Sequence, residues 1–121
     1  MKLKLITLIL SLFLLNAGCA MANKASDYKY YKASMNTVNY SDGISKEEAI
    51  IIARNSMIED GDAKDFNLAN PTVESGGLND ELWDVEFKAR LWLEATRGIF
   101  FGTVYIDKKT GQVKGGGGSD L

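Results

Sequence analysis

From Trp83 to Leu91 the side chains alternate without a break. Trp83, Val85, Phe87, Ala89 and Leu91 are apolar, and Asp84, Glu86, Lys88 and Arg90 between them are charged. A period of two puts one set on a dry face of a strand and the other on a wet face. A dry sheet face has to be covered, and the segment before this strand offers a helix to cover it. Ser45-Lys46-Glu47-Glu48 is a capping box, with the Ser45 hydroxyl set to accept from the Glu48 N–H and the Glu48 carboxylate set to accept from the Ser45 N–H. Ile44 can staple onto Ala49, and Glu47 and Glu48 sit at the positive end of the helix dipole. Gly61 provides a left-handed stop. On a helical wheel Ala49, Ile50, Ala53 and Met57 fall within about 100°, with Ile52 on the flank. Ile51 and Ile58 fall on nearly the opposite side, and they are expected to meet either the preceding segment or a partner.

The remaining chain reads as more strands. Ile99 to Ile106 is apolar on both faces, as a central strand would be. Asp107-Lys108-Lys109-Thr110-Gly111 is a tight turn that uses Gly111 at positive φ, and Gln112 to Lys114 starts a short last strand. Phe66 to Glu74 is an edge strand that tolerates Pro71, and Ser75 to Asp80 is a loop. The expected fold is α+β: one capped N-terminal helix packed in two layers on a three- to four-stranded antiparallel sheet, spanning 44–114. Its expected core is Trp83, Phe87, Phe101, Met57 and Ile52. Residues 23–43 carry Tyr28, Tyr30, Tyr31 and Tyr40 in a polar stretch and read as a flexible lead-in, with Tyr28 to Tyr31 able to add a short edge strand or meet a partner. Gly115 to Leu121 reads as a flexible Gly-rich tail.

Residues 1–22 have the layout of an export leader. Lys2 and Lys4 give a cationic start, Leu3 to Leu15 run almost without polarity, broken only by Lys4, Thr7 and Ser11, and small residues follow. Ala20-Met21-Ala22 fits ordinary cleavage, and Ala17-Gly18-Cys19 resembles a lipobox whose Cys19 would be lipidated, although Asn16 stands where leucine is usual. The apolar run is short for a span, which needs about 20 residues. The protein is therefore expected to be periplasmic or secreted, or anchored to a membrane through Cys19 alone. The 99 residues left after the leader carry 12 basic and 16 acidic side chains, net −4, and this argues against nucleic acid as the partner. Cys19 is the only cysteine, so the mature domain has no internal disulfide.

The chain has no histidine. That removes the usual general base near neutral pH and the commonest transition-metal ligand, so no cofactor or metal is expected. Glu59, Asp60, Asp62 and Asp65 crowd the helix end without the spacing of a calcium loop, and Asp84, Glu86, Lys88 and Arg90 read as a wet, mixed-charge strand face. Trp92, Leu93 and Arg97 stand where two strands are joined, and Trp and Arg are the residue types that dominate binding hot spots. With Ile51 and Ile58 they are the candidate partner-binding residues.

Ile44 to Ala53, then Trp83-Asp-Val-Glu-Phe87, then Val104-Tyr-Ile-Asp-Lys-Lys-Thr-Gly-Gln-Val113 resemble the PepSY family over residues 44–114. In that family a capped helix is followed by an aromatic-x-Val-x-Phe strand and a hairpin reading Asp-x-x-Thr-Gly-x-Val. The segment Leu91 to Phe101 is longer and more aromatic than that pattern. The resemblance implies a non-enzymatic module of secreted and envelope proteins that restrains a peptidase or another protein by binding it. Ala49 to Ala53, Trp83 to Val85 and Ile106 to Val113 are also similar to bacterial immunity proteins with a nuclear-transport-factor-2-like fold, which would imply neutralising a toxin by binding. Both resemblances imply a cystatin-like helix on a sheet.

Overall fold

The structure, a computed structural model, describes residues 25–119. The expected leader with Cys19 lies outside them. Among the described residues, no helix is long and apolar enough to cross a membrane.

The architecture is a two-layer α+β fold. Helix α1 (Ala25–Ala33) is followed by two short 3-10 turns (Ser34–Thr37 and Tyr40–Asp42) and by α2 (Lys46–Glu59). Strands β1 (Phe66–Gly76) and β2 (Leu82–Ala89) come next, then a short helix α3 (Leu91–Arg97), then β3 (Phe101–Asp107) and β4 (Val113–Ser119). The four strands form an antiparallel meander in the order β1-β2-β3-β4, which leaves β1 and β4 as the edges.

Helix α2 starts as the capping box demands, with both Ser45–Glu48 bonds formed at 3.1 Å. It stops at Asp60, with Gly61 left-handed at φ 79°. Ala49 and Ala53 have no exposed surface, and Ile52 and Met57 are buried beside them. The small alanines let the helix axis come close to Val85, Phe87 and Ile106, which are fully buried on the sheet. Each large side chain removed from water in this way contributes about 1.5–3 kcal/mol.

The lead-in is not the flexible segment the sequence suggested. Tyr28, Tyr31, Met35 and Val38 pack against the core, and α1 lies against α2. Those four residues recur at intervals of three and four, a helical stripe hidden by the polar residues around it. Arg54 of α2 stacks over Tyr31 at 4.6 Å and donates to the carbonyls of Leu68 (2.8 Å) and Ala69 (2.7 Å). Those carbonyls are free of the ladder because β1 takes five steps from Asn67 to Thr72 while β2 takes two, from Lys88 to Glu86. The bulge holds Pro71 and turns Leu68 fully into the core. Sheet pairing extends to Gly76, so Ser75 belongs to β1 rather than to the loop.

The start of α2 is tied to the sheet. The Ile44 N–H donates to the Lys108 carbonyl (2.7 Å), and the Ile44 carbonyl accepts from Trp83 Nε1 (2.7 Å). Glu48 also accepts from the Asn39 N–H at 2.6 Å, so the cap and the lead-in share one carboxylate. The Tyr40 ring lies over Gly111, where a Cβ would come within 2.6 Å of it; Gly111 has φ 75°.

Two further expectations change. Phe101 does not join the core. It pairs with Lys88 and shares the wet face, while Gly102 pairs with Phe87 on the core side. The Phe66 ring fills the space over Gly102, where a Cβ would approach it to 2.8 Å. The expected flexible tail is also paired: Gly115 to Gly118 lie opposite Tyr105, Val104, Thr103 and Gly102. Glycine is a poor strand former, but here the ladder to a central strand holds it.

Candidate partner-binding surface

The segment Leu91 to Arg97, expected as the end of a strand and a projecting loop, is helix α3. Arg90 is its extended N-cap, and Gly98 closes it at φ 65°. The turn reverses the alternation at its last member: Leu91 is 77% exposed and Leu93 is 4% exposed. Leu93 is therefore a core residue and is withdrawn as a partner contact. Trp92 is 48% exposed, and Arg97 is exposed. They lie five residues apart, about 140° around the helix, so they face different directions. Leu91, which the strand reading had buried, joins Trp92 as an exposed apolar pair. The Leu-Glu-Ala-Arg composition followed by Gly98 was the available helix signal.

Ile51 and Ile58 do not form a bare stripe. Both are half-buried, and Ile58 packs against the core. The covering surface is the chain's own, and neither residue stands out as a partner contact.

On the open sheet face, Glu74, Asp84 and Glu86 gather with Thr72, Thr103 and Tyr105 around a shallow hollow of about 290 Å³. Asp84 Oδ1 is buried without a hydrogen-bond partner. Desolvation, and then the charge of Glu74, push the Asp84 carboxyl above its ordinary value. The Asp84 side chain leans over Gly76, where any Cβ would collide with the carboxylate. Among the described residues, no group of three or more His, Cys, Asp or Glu is arranged to hold a metal ion.

The larger concavity lies on the helix side, between the end of α2 and β4, and was not visible in the sequence. It is a groove of about 530 Å³ with Met57, Phe66 and Val104 on its floor. Ser56, Asp60 and Asp62 stand on the helix bank, and Lys114, Gly115 and Gly116 form the strand bank. The groove exists because β4 has glycine where a strand would project side chains: Gly116 is opposite Val104, and a Cβ there would meet the Thr103 carbonyl at 2.7 Å. Partial burial, then repulsion from Asp60 and Asp65, push the Asp62 carboxyl up, and Lys64 opposes the rise.

The groove shares an end of the sheet with α3. Arg90 N–H donates to the Asp65 carbonyl (2.9 Å), linking the start of α3 to the acidic loop after α2. Ser119, the last residue of β4, lies opposite Phe101, just beyond α3. A scan against protein-family models and searches of curated proteins and of solved structures find no match to this chain.

Proposed function

We propose that this chain is an exported, non-enzymatic protein-binding module, PepSY-like in its order of elements, that restrains a peptidase or another protein of the cell envelope. The observation that carries this reading is the groove beside β4, an unpaired edge strand with glycine from 115 to 118. A strand edge offers a row of backbone donors and acceptors, which is a ready surface for another polypeptide. The exposed pair Leu91 and Trp92 at the same end of the sheet adds an apolar contact of the type that anchors interfaces. Export is supported by the leader layout of residues 1–22, and a binding role by the lack of histidine.

A photo-activated cross-linking side chain placed at Ser56, and separately at Trp92, tests the reading in native envelopes. One envelope protein captured from both positions is the expected result. Turnover of a small substrate that disappears when Asp84 and Glu86 are replaced by alanine, with no cross-linked protein, refutes it. If a protein is captured, Trp92→Ala and Arg97→Ala are expected to weaken its binding with little change in melting temperature.

A further inference from the structure

The two edges of the sheet are not alike. Edge β1 carries Pro71 and the wide bulge between Asn67 and Thr72. Both are devices that stop a sheet edge from pairing with another chain. Edge β4 has no proline among its described residues, and its bulge is a single extra residue, Lys114 between Val113 and Gly115, beyond which Gly115 to Ser119 keep an unbroken register with β3. It bears one lysine, Lys114, and then glycine from 115 to 118, so no side chain shields its backbone over that run. Glycine inside a strand weakens it, and it commonly marks a place where another backbone comes close.

Charge narrows the choice of what could approach. Asp60 and Asp62 stand on the groove bank beside β4, where Lys114 is the one cation among the described lining residues, and Lys64 offsets part of the charge at Asp62. Asp62 is already crowded by Asp60 and Asp65. A second copy of this chain, net −2 overall, would bring its own acidic bank to the pairing. A basic side chain pointing down from an added strand would instead meet Asp60 and Asp62.

We infer that the free edge of β4 accepts an extended segment of a partner protein as a fifth strand, with a lysine or arginine of that segment entering the groove toward Asp60 and Asp62. The inference rests on the protein-binding reading above and specifies the kind of partner segment. Alternate residues of an added strand face the same side, so a period-two basic pattern suits the groove.

The test uses the protein purified after expression of the full chain, and two synthetic peptides of about nine residues, a usual strand length. One alternates threonine with lysine, and the other threonine with glutamate. The lysine peptide is expected to slow amide exchange across Lys114 to Gly118, and to bind at least about ten-fold tighter than the glutamate peptide. Asp60→Asn combined with Asp62→Asn is expected to remove that preference, and N-methylation of alternate peptide amides to remove binding. No binding of the lysine peptide, or binding without protection of β4, overturns the inference. So does β4 protection in the protein alone with a doubled mass, which would mean that a second copy occupies the edge. If an envelope protein is still captured through Trp92 while β4 stays unprotected, strand addition fails and the protein-binding reading stands. If neither happens, both fall.

Discussion

Trp83 should be worth more through its one polar atom than its half-exposed position suggests. Its Nε1–H holds the Ile44 carbonyl at 2.7 Å, one residue before the N-cap of α2. Lys108 Nζ sits 4.2 Å from the ring centroid. Trp83→Phe keeps an aromatic ring on the core and deletes the donor. Loss of that hydrogen bond costs about 1 kcal/mol, at the low end because water can reach a half-buried carbonyl. Weakening of the cation–ring contact adds about 0.5 kcal/mol. A loss of about 1.5 kcal/mol lowers the melting temperature of a domain this size by about 6–12 °C. Trp83→Ala also removes the apolar packing and should cost roughly 3 kcal/mol, the lower part of the range for core aromatics. Urea unfolding followed by far-ultraviolet circular dichroism measures both variants without relying on the tryptophan signal. Trp92→Ala is the control, since that side chain is 48% exposed, and it should stay within about 0.5 kcal/mol of the parent. A Trp83→Phe protein as stable as the parent would refute the role of the Ile44 carbonyl bond. Equal losses for Trp83→Ala and Trp92→Ala would refute the division between a structural and an interface tryptophan.

Gly111→Ala forces φ 75° on an alanine and pushes a methyl group into the Tyr40 ring. A loss of about 1–2 kcal/mol in urea unfolding is expected, with faster amide exchange at Tyr40 to Asp42 as that turn lifts from the hairpin. Backbone hydrogen bonds from Ser45 and Asn39 hold the Glu48 carboxyl below its ordinary 4.5. Its contribution is therefore present above the unfolded-state value and is lost as pH falls through the lower folded-state value. Stability measured from neutral to acid pH should show that loss in the parent and not in Glu48→Gln. Asp84 behaves in the opposite sense, because burial and Glu74 raise its carboxyl. Ionising it costs stability as pH rises through the folded-state value, so Asp84→Asn should melt higher than the parent at neutral pH, with the difference shrinking on acidification.

Where one physical term dominated, the sequence was legible. The capping box at Ser45 and the glycines at 61 and 111 each have a local cause, and each appears as read. The alternation from Trp83 to Ala89 gave the strand and its dry face; a helical turn cut it off at Leu91, because the next residues favour a helix and Leu93 can still reach the core. Misreadings arose where tertiary contacts outweighed local preference. Residues 25–38 look polar and loose because only Tyr28, Tyr31, Met35 and Val38 touch the core, and their worth depends on α2 being there. Phe101 and Gly102 could not be phased from a strand apolar on both sides; pairing with Lys88 and Phe87 decides it. The groove is a property of space left empty by glycines, so it has no signature beyond a run that also reads as a tail. Of the partner-binding candidates, Trp92 and Arg97 are exposed as expected. Leu93 is buried, and Ile51 and Ile58 are half-buried.

The glycine run in β4 also allows stability to be separated from binding. Gly117 lies opposite Thr103, on the sheet face away from α2, whereas Gly116 lies opposite the buried Val104 on the groove side. Gly117→Thr should stabilise the domain. It removes backbone freedom from the unfolded chain, raises strand preference and adds a cross-strand threonine pair with Thr103. The expected gain is about 0.5–1 kcal/mol, read as a higher urea midpoint at an unchanged slope. The added side chain stands on the far side of the sheet from Asp60 and Asp62, and it leaves the backbone edge in place. Peptide affinity should therefore be retained or rise slightly, because a better-ordered edge has less entropy to lose on pairing. Had glycine been placed there to keep β4 loose until it was bound, the same substitution would lower affinity as it raised stability. Measuring urea midpoint and lysine-peptide affinity on one Gly117→Thr sample separates the two. A gain in stability with affinity unchanged or better means that the glycines serve the groove, and a gain with affinity lost means that they serve disorder.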